Sequence, residues 1–156
     1  MATKNKTPSK DSTLRLVVTR VIKAPCAMVF KAWTEPKQMV QWWSPIKIEC
    51  KSVSADSKVG GAYRIHMISK EGNHIAFGNY TKITRNKRLQ FTWSWEKNPM
   101  PETLVTVDFE DLGKTTRVTL THEGFVDKVE AAEHTDGWTT AIKKFAGLME
   151  KNKIKA

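Results

Sequence analysis

Leu89-Gln90-Phe91-Thr92-Trp93-Ser94-Trp95 is the stretch that decides how this 156-residue chain folds. Leucine, phenylalanine and two tryptophans take every second place, with glutamine, threonine and serine between them. Successive side chains of a β-strand point to opposite faces, so the pattern predicts a strand with one buried and one wet face. Its neighbours repeat the arrangement. Residues 62–69 set Tyr63, Ile65 and Met67 against Arg64 and His66, and residues 103–110 set Val105, Val107 and Phe109 on one face. Residues 115–122 set Val118, Leu120 and His122 opposite Arg117, Thr119 and Thr121. Further strands are predicted over residues 14–23, 46–54 and 74–83, the second alternating Ile48, Cys50 and Ser52 with charged neighbours. Turn-forming stretches separate the strands: Gly60-Gly61, Glu71-Gly72-Asn73, Arg85-Asn86-Lys87, Asn98-Pro99-Met100-Pro101 and Asp111-Leu112-Gly113-Lys114. Strands joined this closely pair antiparallel, and a sheet apolar on one side must find cover for that side.

The cover comes from the other end of the chain. Val129, Trp138, Ala141, Ile142, Phe145, Leu148 and Met149 recur at helical spacing, with Lys143, Lys144, Glu150 and Lys151 on the opposite face. Gly137 weakens a helix, and a close approach of helix to sheet is the expected reason for it. Near the start, Pro25 opens a short helix carrying Val29, Phe30 and Trp33. Thr34-Glu35-Pro36 stops it and starts another, through Met39, Val40 and Trp43, closed by Ser44-Pro45. The expected fold is α+β: a curved antiparallel sheet wrapped around one long C-terminal helix, with two short helices after the first strand plugging one end.

Composition narrows the function. Hydrophobic residues are 40% and charged residues 27%, ordinary values for a globular domain, and no apolar run approaches the ~20 residues of a membrane helix. Residues 14–152 read as one domain, 1–13 as a disordered basic leader and 153–156 as a frayed tail. The net charge of +10 raises nucleic-acid binding. Residues 1–13 carry +2 of it and residues 143–156 carry +4, so most of the excess sits on the ends and nucleic acid is disfavoured as a partner. Cys26 and Cys50 show no disulfide framework, which suits a cytoplasmic setting.

The segments Ala24-Pro25, Trp33-Thr34-Glu35-Pro36, Gln41-Trp42-Trp43-Ser44-Pro45, Arg88-Leu89-Gln90-Phe91-Thr92-Trp93 and Gly137-Trp138 together resemble one bacterial family. It is the family related to the C-terminal domain of the activator of Hsp90 ATPase, in the START-like (helix-grip, Bet v 1-like) superfamily. The resemblance runs from about Leu14 to Met149. It implies a helix-grip fold with a cavity between helix and sheet, of a kind that in the superfamily often holds lipids, sterols or polyketides. It also raises an Hsp90-type chaperone as a partner, and a cyclase or aromatase as a third alternative.

Motifs for chemistry are sparse. His122-Glu123 opens like a zinc-protease motif, but Val126 stands where the second histidine belongs. His66, His74, His122 and His134 have no ligand spacing with the cysteines, so no metal or cofactor is expected. Gly113-Lys114-Thr115 imitates a phosphate loop, yet Asp108 replaces its first glycine and no helix follows. No catalytic residue is assigned. His122 falls on the inward face, either as a core histidine satisfied by a backbone carbonyl or as a polar anchor for a ligand. The indole N–H groups of Trp93, Trp95 and Trp138 are each expected to be able to donate into the cavity.

The leading expectation is therefore a protein that binds a hydrophobic small molecule, a lipid, polyketide or other aromatic. The expected lining is Trp33, Trp42, Trp43, Tyr63, Ile65, Met67, Phe91, Trp93, Trp95, Val107, Leu120, His122, Trp138, Ile142 and Phe145.

Overall fold

Residues 14–97 and 100–156 are described in the computed structural model; the expected leader over residues 1–13 lies outside the described residues, as do Asn98 and Pro99 of one expected turn. Among the described residues seven strands and three helices follow in the order β1 (Arg15–Ile22), α1 (Cys26–Thr34), α2 (Pro36–Met39), β2 (Glu49–Ala55), β3 (Ala62–Ser69), β4 (Gly72–Thr84), β5 (Arg88–Trp95), β6 (Thr103–Asp111), β7 (Thr116–Glu123) and α3 (Lys128–Glu150). All strands pair antiparallel in one sheet ordered β1-β7-β6-β5-β4-β3-β2. The path from β2 to β7 is a meander of neighbours. The first strand crosses to the far edge, beside β7, because α1 and α2 intervene.

The period-two stretch behaves as its chemistry demands. In β5, Leu89, Phe91 and Trp93 are buried, and in β6 and β7 Val105, Val107, Phe109, Val118, Leu120 and His122 join them. Across this face α3 lays Trp138, Ala141, Ile142, Phe145, Ala146 and Met149. Asp127 caps the helix, its Oδ1 accepting the Val129 N–H at 2.8 Å and satisfying one of the first-turn donors.

Three local readings need correction. Residues 46–48 form a turn rather than the start of β2, with Lys47 at φ 69° and the Ile48 N–H donating to the Pro45 carbonyl at 3.2 Å. Within β2 the register slips between Cys50 and Ser52. That bulge reverses the alternation, so Val53 and Ala55 meet the core and Ser52 faces water. Val129 lies in the first turn of α3, beyond the reach of the sheet, and is 63% exposed. Gly137 does lie at a close approach, but to the loop before β2: a Cβ there would stand 3.4 Å from Pro45 Cγ.

Gly78 shows what a glycine in a strand interior is for. A Cβ at this position would sit 2.1 Å from the Thr92 carbonyl oxygen, so only glycine lets β4 and β5 close here.

Candidate functional site: a cleft between the long helix and the sheet

The short helices deliver Trp33, Trp42 and Trp43 to one end of the molecule. Trp33 and Trp42 have ring centroids 4.6 Å apart, Trp42 and Phe145 4.6 Å, and Trp33 and Phe145 6.0 Å. The Trp42 indole N–H donates to the Ala32 carbonyl at 3.0 Å. These rings fill their space with one another. Aromatic pairs at such distances are well-packed contacts, so this end is solid core.

Packing stops one ring further along. Between the first half of α3 and strands β3, β4 and β5 opens a cleft of about 630 Å³. Trp43, Trp93, Trp95 and Trp138 form its aromatic walls, with Met67, Ile48, Ile75 and Ala141 between them. Its rim carries Asn73, His74, Lys97, Glu130, Glu133, His134 and Asp136. A cleft of this size, apolar inside with a few polar groups, has the dimensions of a small-molecule site.

Of the fifteen residues expected to line a cavity, the structure brings Trp43, Met67, Trp93, Trp95 and Trp138 to the cleft. It places Trp33, Trp42, Tyr63, Ile65, Phe91, Val107, Leu120, His122, Ile142 and Phe145 behind that wall, buried in the core. Tyr63 donates its hydroxyl to the Thr92 carbonyl, and burial pushes its pKa well above the ordinary value.

His122 is fully buried and lies in a relay of hydrogen bonds. The Trp138 indole N–H donates to His122 Nδ1 at 3.0 Å, and His122 Nε2 lies 2.7 Å from the Thr103 hydroxyl. Thr103 in turn donates to the Trp93 carbonyl at 3.1 Å. An indole can only donate, so Nδ1 must be the acceptor, and Nε2 carries the proton that goes to Thr103. One neutral tautomer satisfies every group. Burial, reinforced by nearby His134, holds the imidazole pKa well below its ordinary value. His122 is thus a core histidine, though its partners are an indole and a hydroxyl instead of the expected backbone carbonyl.

His134 repeats the device at the rim. Trp95 donates its indole N–H to His134 Nε2 at 3.0 Å, and His134 Nδ1 donates to the Glu130 carbonyl at 2.7 Å. Burial lowers its pKa too. The two imidazole rings are 5.2 Å apart. His134 was legible only as a histidine on the first half of α3; nothing in its spacing announced a partner in β5. Thr103 carried no signal, being a threonine at the head of a strand.

The indole N–H groups of Trp95 and Trp138 are therefore committed to histidines, while that of Trp93 has no partner among the described residues. Trp33 and Trp43 share that condition. All three N–H groups are sealed from solvent, so none of them faces the open cleft.

Beside Trp43, Ser44 Oγ accepts from Lys144 Nζ at 2.7 Å, tying the loop to α3. Desolvation lowers the Lys144 pKa. Cys50 lies within its field, yet burial outweighs the ammonium and pushes the thiol up to about 11. Cys26 is likewise raised, chiefly by burial, and its thiol donates to the Asn86 carbonyl at 3.2 Å. Among the described residues no group of three or more His, Cys, Asp or Glu is placed to hold a metal ion, and no helix is long and apolar enough to cross a membrane.

The same architecture recurs in solved structures. Protein CV1439 from Chromobacterium violaceum superposes with a TM-score of 0.80 at 24% identity, covering 87% of this chain and 96% of that one. The AHSA1 (SPO3351) protein from Silicibacter pomeroyi gives 0.79 at 22% identity, over 88% and 99% of the two chains. CalU16 from Micromonospora echinospora gives 0.69 at 21% identity, over 90% and 80%. At these identities the likeness is one of fold. Among curated proteins none matches the chain. Residues 23–150 match the family described as Activator of Hsp90 ATPase homolog 1-like protein, from just after β1 to the last residue of α3. With that span and this helix-grip architecture, the chain belongs to the Activator of Hsp90 ATPase homolog 1-like family.

Proposed function

We propose that this protein binds a small apolar or aromatic molecule in the cleft between α3 and strands β3–β5, residues 14–152 acting as one binding domain. The observation that carries the reading is the aromatic wall of Trp43, Trp93, Trp95 and Trp138 around about 630 Å³. Apolar surface held open to water costs about 25 cal/mol for each Å². A ligand with a flat apolar body relieves that cost.

The test is a titration of the purified protein with lipids, flavonoids and polyketide-like aromatics, read by tryptophan fluorescence. A saturable response that disappears when Ala141→Phe fills the cleft supports the reading. No response to any of them turns the weight to the competing reading that the family description supports, contact with an Hsp90-type chaperone. Co-elution of the two purified proteins tests that directly.

A further inference from the structure

The rim of the cleft contradicts the charge of the chain. The protein as a whole carries +10. Yet α3 sets three carboxylates, Glu130, Glu133 and Asp136, along one side of the opening, against Lys97 on the other and Lys144, whose Nζ reaches Ser44 Oγ on the lining at 2.7 Å. None of the three carboxylates, nor Lys97, is in an ion pair among the described residues, although five other ion pairs form elsewhere. His134, next to Glu133 in sequence and on the same rim, is held neutral by burial and by its acceptance of the Trp95 N–H, so it does not offset the carboxylates. At physiological salt a charge is felt over roughly 8 Å, so at the mouth the three rim carboxylates are set against Lys97 and Lys144 and outnumber them.

The walls have the same preference. The face of an indole carries partial negative charge and attracts cations, ammonium groups above all. Four indoles surround this cleft, and behind the acidic rim a positive group would meet them on entry.

From this we infer that the cleft, taken as the ligand site proposed above, selects an organic cation: an aromatic or alicyclic amine whose ammonium sits between the rim carboxylates and the indoles. A fatty acid or other carboxylate is disfavoured by the same rim.

Three probes of one shape separate charge from fit: naphthylethylamine, naphthylethanol and naphthylacetate, each titrated into the full chain by calorimetry and tryptophan fluorescence at low and physiological salt. The amine is expected to bind about tenfold more tightly than the alcohol at low salt, and the acetate more weakly than the alcohol, the gaps narrowing as salt rises. In the variant E130Q/E133Q/D136N the ratio of amine to alcohol affinity is expected to fall several-fold, to the smaller preference that the indoles alone supply. If the alcohol binds and the amine binds no better, or the acetate binds best, the cationic preference is wrong while the cleft remains a ligand site. If none of the three binds, and Ala141→Phe changes nothing, the site itself is refuted and the inference with it.

Discussion

Thr103→Val is the sharpest perturbation of the buried relay. Valine keeps the shape of threonine and deletes only the hydroxyl, which accepts from His122 and donates to the Trp93 carbonyl at 3.1 Å. His122 is fully buried, so its Nε2–H can find no water. A stranded buried donor costs about 1–3 kcal/mol, and the lost bond to Trp93 adds about 1 kcal/mol. With some return from burying the new methyl, the variant should lose about 2–3 kcal/mol. At this chain length that is a fall in Tm of roughly 5–10 °C. Urea unfolding at neutral pH, followed by tryptophan fluorescence, measures it. The decisive comparison repeats Thr103→Val in a His122→Phe background, where no imidazole donor remains. There the cost should shrink by at least about 1 kcal/mol, the coupling expected between hydrogen-bonded partners. Equal costs in the two backgrounds would refute the relay.

Acid should weaken the protein through the same histidine. Because burial lowers the folded pKa of His122, the unfolded chain takes up a proton near pH 6.5 that the folded protein refuses. Stability from this residue is complete above that pH and declines as the pH falls, by up to about 1.4 kcal/mol per pH unit. His122→Phe should flatten the stability curve below pH 6.5, and an unchanged slope in urea titrations would count against a neutral His122. Gly78→Ala drives a Cβ to 2.1 Å from the Thr92 carbonyl, and overpacking of this kind costs about 1–3 kcal/mol; a neutral effect on Tm would show that β4 and β5 yield easily. At pH 8 both thiols should react with a disulfide reagent at least about tenfold more slowly than in urea-unfolded protein, since burial raises Cys26 and pushes Cys50 up to about 11.

Much of the fold can be read from β5, β6 and β7 alone, because alternation there is uninterrupted and each inward residue finds α3 or a neighbouring strand opposite it. Where a bulge intervenes the reading fails. Ile48, Cys50 and Ser52 look like one face of β2, but the slip after Cys50 gives that face to Val53 and Ala55. The candidate site was legible to a lesser extent, for a related reason. Helical spacing for Trp33 and strand parity for Phe91 and Trp93 point all three inward, and both are silent on what they meet. Trp33 meets Trp42 and Phe145 and is sealed, whereas Trp93, packed on Trp138 and Trp95, also borders the cleft. The rim was hidden for a different reason. Glu130, Glu133 and Asp136 read as the solvated side of a helix until the sheet is placed beside them, and His134 finds its indole donor 39 residues away in sequence.

The account rests on the claim that α3 and strands β3–β5 enclose a ligand site with a defined aromatic wall. The six tryptophans each give one indole N–H signal, so a titration with naphthylethanol followed by nuclear magnetic resonance tests that claim directly. Saturable shifts are predicted for Trp43, Trp93, Trp95 and Trp138, with Trp33 and Trp42 nearly still behind the wall. Shifts confined to Trp33 and Trp42, or none at any indole, would contradict it.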